Sequence, residues 1–468
     1  MDKKSKSALY LSTEALVLML LPLLLYILGL DFLMILTIEV FVVLCYLCIK
    51  NLYSNIFFLG FLLSFFVFLM SGDIASSIFG KYYYIQFDEV TTRHCWTALL
   101  ISLSFLYIGY LCKIKFTHIS VKGLSTEANI EQIKNAAKVV YYLTYGIMLA
   151  NTIDKVVFVA NNGYVAYYSS YNSFLPIIIA KLGDFTPIAL CIFLATFPSK
   201  KEASVPIRLF LLYAVISLLI GARGGLVYNS VFLFGYMLYR NKHNDENEIW
   251  VSKKTILVLV ASIPFLLVLL FLYGYVRLGN DVVYESFGST LVDFFVNIGS
   301  SSKIIKYGYE YQDAIEKFKF YSFGDTLNYF KYGRLFNWFS ADAIPSTHSA
   351  QFALEGHSFE AFLSYHFMKM QYLNGEGGGS SFIAELFADF GYIGIAIGSF
   401  IYGMIFKSLS NLNRKSWLST AVKLYFFLSL IRAPRGSYDG FIAGVVNITF
   451  WIVIIGVVLL SKVKKRGE

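Results

Sequence analysis

Long apolar runs separated by short polar connections dominate the chain. A transmembrane helix needs about 20 mainly apolar residues to cross the hydrocarbon core of a bilayer. Runs that approach this requirement occur at 8–30, 32–49, 54–72, 95–112, 138–153, 174–197, 208–222, 226–240, 255–276, 381–406, 417–432 and 441–461. The pattern predicts an all-α, polytopic membrane protein with about 12 transmembrane helices. Several runs are short, which leaves the count open by one or two.

The composition supports the same class. Of the 468 residues, 57% are hydrophobic and only 15% are charged, and the mean hydropathy is +0.62. Soluble proteins carry roughly 25% charged residues, so a series of soluble domains is excluded. The five cysteines all lie in or beside apolar runs, and nothing in their spacing predicts a disulfide-linked domain.

The distribution of charge predicts an orientation. Lys and Arg concentrate at both termini and in the connections 113–137, 198–207, 241–254 and 407–416. Basic connections stay in the cytoplasm, so we expect both termini there. The net charge of +9 is then a topology signal. A nucleic-acid partner would need a clustered basic face with base-contacting groups, and we expect none.

One connection is much longer than the others. Residues 277–380 are expected on the outer side, which divides the chain into helices at 1–276, a periplasmic loop at 277–380 and further helices at 381–468. Aromatic residues crowd the stretch Phe318–Phe339, which predicts short amphipathic helices at the membrane interface. A loop this long is usually functional.

Three arginines lie where arginine is unexpected. Arg223 lies in the glycine-rich turn 221–225, and Arg432 and Arg435 lie in the turn 432–436, both at the outer face. Arginine is costly near hydrocarbon and rare in short outer loops. A single arginine could simply extend its head to the interface. Three in two turns favour a shared anion site, because guanidinium groups match phosphate oxygens.

A glycine run precedes the tenth predicted helix, at residues 374–379. It is either a flexible connection or a place where backbone N–H groups approach an anion, with Ser380 or Ser381 capping the helix. Glu385 and Asp389 follow on one helical face near the membrane boundary. An intramembrane carboxylate is a functional candidate, although a hydrogen bond to a neighbouring helix explains it equally well.

Two further groups of residues are weaker candidates. The tyrosine-rich stretch 161–171 suits an interfacial belt, or a surface on which sugars stack. His348, His357 and His366 are spaced nine apart without a cysteine or a closely spaced partner histidine. That spacing does not fit a metal site, so we expect neither metal nor cofactor.

These motifs together resemble the O-antigen polysaccharide polymerase (Wzy-type), or oligosaccharide repeat unit polymerase, family. The predicted topology and the long outer loop fit as well. The resemblance is carried by Asn162-Gly163-Tyr164, Gly221-Ala222-Arg223-Gly224, Ser364-Tyr365-His366, Gly379-Ser380-Ser381-Phe382-Ile383-Ala384-Glu385 and Phe390-Gly391 with Gly394.

The resemblance implies a GT-C-like, inner-membrane glycosyltransferase. Such an enzyme joins undecaprenyl-diphosphate-linked oligosaccharide repeat units at the periplasmic face into O-antigen or capsule and releases undecaprenyl diphosphate. The implied partners are that lipid-linked substrate and membrane lipids, with a chain-length regulator and a flippase of the same pathway as candidates. The sugars, their linkage and the oligomeric state stay open.

Residue chemistry assigns roles within that reaction. Arginines can stabilise a departing diphosphate without a metal, and a positioned base must take the proton of the acceptor hydroxyl. As the base we expect Glu385, then Asp439, then His366. The expected diphosphate ligands are Arg223, Arg432 and Arg435, with Arg277 a weaker fourth. The expected glycan contacts are Tyr164, Tyr168, Tyr365, Gly377, Gly379, Ser380 and Ser381.

Two alternative functions share many of these features. An O-antigen ligase transfers finished polymer to a lipid core and has a similar outer loop. A flippase or exporter of lipid-linked glycans would instead need charges along a path through the bilayer. The functional groups predicted here gather at one face, which favours surface chemistry over transport.

Overall fold

The structure is a computed structural model that describes residues 21–81, 86–112, 127–221, 223–242, 248–278, 284–316, 318–333 and 345–463. Within these ranges, the side chains at 128, 165, 168, 169, 223, 276–278, 300 and 463 are not described. The described residues are helical and contain no strand. The all-α prediction is therefore confirmed for this part of the chain.

After a helical stretch at 21–27, the described residues of the first half of the chain form ten helices. In chain order, α1 to α10 are Phe32–Lys50, Leu52–Phe79, Glu89–Leu111, Glu127–Asn162, Tyr164–Ser170, Ile177–Leu182, Phe185–Ala195, Lys200–Leu218, Arg223–Lys242 and Lys253–Leu278. Helix α2 contains a π-helical turn at Phe66–Met70. Polar side chains cap the N-termini of several helices. At α1, Asp31 accepts a hydrogen bond from the Leu33 N–H, and at α8, Ser199 forms a capping box with Glu202.

The second half begins with the long connection. Its short helices α11 to α16 are Phe287–Ile298, Ser302–Glu310, Gly324–Tyr332, Ala350–Glu355, Phe359–Phe367 and Lys369–Leu373. They are followed by α17 to α20, at Phe382–Leu409, Trp417–Leu430, Gly440–Val446 and Ile448–Val463. The short helices pack on the ends of α2, α3 and α17, so the connection forms a folded cap over one end of the bundle. Part of the predicted aromatic stretch, 334–339, lies outside the described residues.

Fewer helices than twelve have the length and apolarity of a span. Within the described residues seven qualify, or eight if the bent pair α19 and α20 is one span. Other helices that coincide with predicted runs fall short of a span in length or apolarity. Helix α18 has only 14 residues, and α8 begins with the charged residues Lys200, Lys201 and Glu202. The first predicted run falls mostly before residue 21, outside the described residues. The count of twelve and the GT-C-like arrangement stay predictions.

The bundle is held together most extensively where α3 crosses α17. A Cβ atom at Gly403 would lie 2.1 Å from the carbonyl oxygen of Leu106, and one at Gly109 would lie 2.0 Å from that of Phe400. Between the same helices, the Ser102 and Ser399 hydroxyls share a 2.8 Å hydrogen bond. Small residues let the two backbones touch, which is how apolar helices associate within lipid.

We expect Gly403→Ala to loosen this crossing. The added methyl group must displace the backbone of α3, and such overpacking costs about 1–3 kcal/mol. The thermal unfolding midpoint of the purified protein in detergent should therefore fall by several degrees. Gly456→Ala in α20 is the matched control, because no atom lies within 4 Å of its Cβ position. An unchanged midpoint for Gly403→Ala would contradict the close crossing.

Candidate active site

A cavity of about 730 Å³ opens at the capped end of the bundle. One wall is apolar and comes from the long helices α2, α9 and α10, including Leu63, Val67, Leu267 and Leu270. The part of the lining that comes from the cap and from the segment between α18 and α19, called the polar wall below, carries the charged side chains Asp325, Arg432 and Arg435. The polar lining residues are Ser64, Tyr164, Tyr228, Asp325, Ser429, Arg432, Arg435 and Ser437.

Arg432 and Arg435 lie in this polar wall, on the turn that follows α18. Both side chains are exposed to the cavity. The Arg432 guanidinium lies 5.5 Å from the ring centre of Tyr228, and that of Arg435 lies 5.9 Å from the ring centre of Phe68. Neither forms an ion pair or a hydrogen bond with another described residue. Two guanidinium groups that form no ion pair with a described carboxylate and face one open cavity form a site for an anionic ligand.

The other two predicted arginines are only partly located. Gly221 and Gly224 line the cavity, so the backbone around Arg223 reaches it, but the side chain of Arg223 lies outside the described residues. The same is true of the Arg277 side chain at the end of α10. The predicted four-arginine site is thus half described, and the roles of Arg223 and Arg277 stay predictions.

The end of the glycine run lies beside Arg435. Gly379 has φ +82°, and a Cβ atom there would lie 3.9 Å from Nε of Arg435. At Gly377 a Cβ atom would lie 2.5 Å from Oε1 of Glu360. At position 379 a methyl group would meet Arg435 at ordinary van der Waals distance, and it is the positive φ that favours glycine there. The run therefore brings backbone close to the candidate anion site, one of the two alternatives that the sequence left open.

The serines after the run do not act as the expected helix caps. Ser381 occupies the N-cap position of α17, but its hydroxyl makes no capping hydrogen bond. The Ser380 hydroxyl instead donates to Oε1 of Glu385 at 2.6 Å. Oε2 of Glu385 accepts the backbone N–H of Tyr438 at 2.7 Å. Glu385 is only 2% exposed, and it joins the end of the glycine run to the segment that follows Arg435.

Two further carboxylates anchor the cap to the bundle. Asp389 accepts the backbone N–H groups of Tyr321 and Ser322, at 2.9 and 2.7 Å, and the Ser322 hydroxyl at 2.6 Å. Asp439 is fully buried and accepts the N–H groups of Asp325 and Thr326. Both carboxylates thus form hydrogen bonds to neighbouring segments, as expected for a structural role.

The environment of Asp439 alters its proton affinity. Burial, and then the nearby negative charge of Asp325, raise the pKa of Asp439 to about 6, against the hydrogen bonds from Thr326 and Asp325 that lower it. A carboxyl with this pKa is partly protonated just below neutral pH. Asp325, at the start of α13, therefore disfavours the charged form of Asp439, which lies just before α19.

The predicted aromatic and histidine residues lie in different places. Tyr164 lines the cavity, and the Tyr168 side chain is not described. Tyr365 and His366 are on α15 in the cap and do not line the cavity. Nδ1 of His366 is hydrogen-bonded to the carbonyl oxygen of Phe362 at 2.8 Å. Among described residues, no group of three or more His, Cys, Asp or Glu side chains could hold a metal ion.

Two residues near the arginines were not singled out from the sequence. Lys303, on α12, has a pKa lowered by burial and by the positive charge of Arg435, although it is not part of the cavity lining. Asp325, the second residue of α13, lines the cavity itself. Both lie in a stretch where Lys and Asp are common, and no local motif distinguishes them from their neighbours.

Comparison with known proteins identifies the family of the chain. No curated protein and no solved structure matches the chain. The family model of O-antigen polysaccharide polymerase Wzy matches residues 11–466, nearly the whole chain. The protein is therefore a membrane protein that belongs to the O-antigen polysaccharide polymerase Wzy family.

Proposed function

We propose that this protein joins undecaprenyl-diphosphate-linked oligosaccharide repeat units into a surface polysaccharide and releases undecaprenyl diphosphate. The growing glycan is moved from its lipid carrier to a hydroxyl group on the non-reducing sugar of a fresh unit. The protein acts as a GT-C-type, metal-independent glycosyltransferase in the cytoplasmic membrane. Membership of the polymerase family supports the polymerising role.

The observation that carries the proposal is the mixed apolar and cationic lining of the cavity. Its apolar wall of Leu63, Val67, Leu267 and Leu270 suits a polyprenyl chain, and its polar wall presents Arg432 and Arg435. A lipid diphosphate combines these two chemistries in one molecule. As the bond from the sugar to the diphosphate breaks, negative charge grows on the leaving oxygen, and fixed guanidinium groups stabilise that charge.

The charge pattern along the bundle supports an active site on the outer face. Helix α9 begins beside the cavity and ends with Arg240 and Lys242, and α17 begins beneath the cap and ends after Lys407. Basic helix ends favour the cytoplasmic side. The cavity lies at the opposite end of the same helices, where periplasmic repeat units are presented.

Purified protein incubated with undecaprenyl-diphosphate-linked repeat units should produce a ladder of lipid-linked oligomers. The ladder should persist in EDTA, since arginines supply the charge stabilisation. A ligase would yield no ladder and would instead attach added polymer to a lipid core acceptor. A flippase would move the lipid across a vesicle without forming new glycosidic bonds. The absence of any ladder, with intact substrate recovered, would contradict the proposal.

A further inference from the structure

Asp325 is the single carboxylate among the described residues that line the cavity. It lies at the start of α13, where the cap meets the segment 432–440, and its side chain is exposed to the cavity. The acids Glu385, Asp389 and Asp439 instead accept hydrogen bonds that join segments of the fold. This position makes Asp325 available to a ligand while it remains part of a fixed wall.

The buried carboxylate of Asp439 accepts hydrogen bonds from the backbone at Asp325. Oδ1 of Asp439 accepts the Asp325 N–H at 3.3 Å, and Oδ2 accepts the Thr326 N–H at 2.8 Å. These two bonds fix the first turn of α13 against the start of α19, since Asp439 is the residue just before α19. A functional group held by a buried partner keeps its geometry through a reaction.

The side chain of Asp325 is oriented as well. The Ser437 hydroxyl donates a short hydrogen bond to its Oδ2. A Cβ atom at Gly440 would lie 3.2 Å from that hydroxyl and 3.7 Å from Oδ2, so glycine leaves room for the pair. Oδ1 of Asp325 has no hydrogen-bond partner among the described residues, which leaves it available to a ligand.

The same segment that carries the two arginines carries Ser437. Only Gly436 separates Arg435 from the residue that orients the Asp325 carboxylate, and all of them line one cavity. An anion held by the arginines and a hydroxyl group held by Asp325 would therefore meet within this cavity. Glycosyl transfer needs this juxtaposition of a leaving-group site and a proton acceptor.

We propose that Asp325 is the catalytic base that activates the acceptor sugar, an inference that rests on the proposed function. Its carboxylate takes the proton of the acceptor hydroxyl while the hydroxyl oxygen forms a bond to the anomeric carbon of the donor glycan. The bond from that carbon to the diphosphate oxygen breaks, and the electron pair leaves with undecaprenyl diphosphate. The proton passes from Asp325 to solvent before the next cycle.

The test uses Asp325→Asn in the full-length purified protein. An amide cannot accept the proton, so we expect turnover to fall about 100- to 10,000-fold. Binding of undecaprenyl diphosphate, measured by fluorescence quenching or calorimetry, should stay within about twofold because the arginines are untouched. Asp325→Glu should restore part of the turnover. Asp313→Asn, at an exposed carboxylate of the cap outside the cavity, should behave like the wild type.

Ser437→Ala is a second, milder variant that keeps the acid. Loss of its hydrogen bond should lower kcat about 10-fold, with KM and the binding of undecaprenyl diphosphate unchanged. It also keeps the test informative if Asp325→Asn does not fold. Near-normal turnover in either variant would overturn the inference, as would parallel loss of lipid binding, which would indicate a structural role.

Failure of this inference differs from failure of the proposed function. If the wild type itself makes no ladder from lipid-linked repeat units, the proposed function fails. If the wild type makes a ladder and Asp325→Asn makes it equally fast, only the role of Asp325 fails.

Discussion

Replacement of both Arg432 and Arg435 by lysine should slow chain extension at least about 100-fold while the protein stays folded. Lysine keeps the positive charge but lacks the planar, bidentate fork that fits a diphosphate. Loss of one well-placed donor to a developing anion costs about 100- to 1,000-fold in turnover. Both side chains are exposed to the cavity and have no ion-pair partner among the described residues, so their replacement breaks no salt bridge seen there. Rates of ladder formation and the thermal unfolding midpoint measure the two effects separately.

The matched control for the arginines is Arg93→Lys. Arg93 is an exposed arginine on α3 at the same end of the bundle, paired with Glu89 at 2.8 Å and not part of the cavity lining. Exposed pairs of this kind contribute about 0–1 kcal/mol, so activity and stability should stay at wild-type values. Long chains made at the normal rate by the Arg432→Lys, Arg435→Lys double variant would remove the diphosphate role.

The helices were largely predictable because a membrane span is a local property of the sequence. The apolar run at 32–49 becomes Phe32–Lys50, and the run at 381–406 becomes Phe382–Leu409. The irregularities were not predictable. Gly391 interrupts α17 with φ +62° and ψ −152°, and α19 meets α20 at a bend of 51°. Such breaks depend on what packs against the helix, which no run of apolar residues encodes.

The long connection shows the same limit at a larger scale. Its aromatic residues predicted short helices at the membrane interface; the described part contains short helices that pack on the bundle, and their place at the interface stays a prediction. Tyr321 is 1% exposed and packs against Phe359 and Phe362, all within the cap. Phe318, by contrast, is 82% exposed. Aromatic content alone cannot distinguish a ring that fills a protein core from one that meets lipid.

The candidate site was half predictable for a related reason. Arg432 and Arg435 were recognisable because arginine in a short outer turn is costly, so its presence needs a cause. Asp325 and Lys303 lie among ordinary loop residues, and their relevance comes only from the tertiary contacts with Ser437 and Arg435. Conversely, Glu385 looked catalytic because an acid near the membrane is unusual, whereas its contacts are those of a link between segments.

Glu385→Ala should disrupt the site by removing that link. The backbone N–H of Tyr438, a residue that is 4% exposed, would lose its partner, and the Ser380 hydroxyl would lose its acceptor. Each buried polar group left unpaired costs about 1–3 kcal/mol. We expect a fall of several degrees in the unfolding midpoint and loss of most activity, because the segment from Arg435 to Tyr438 is no longer held against α17.

Glu385→Gln separates this structural role from a role as the base. The amide oxygen can still accept the Tyr438 N–H, and the amide nitrogen can donate to the Ser380 hydroxyl, so the link survives without a proton acceptor. We therefore expect stability close to that of the wild type and turnover within about threefold, since a lost base would cost at least about 100-fold. A glutamine variant that keeps its unfolding midpoint but loses turnover 100-fold would instead make Glu385 the proton acceptor and leave Asp325 with a binding role. Replacing the acid by its amide should therefore abolish most turnover at Asp325 and leave turnover nearly unchanged at Glu385. The two residues contact neighbouring positions of one short segment, Ser437 and Tyr438.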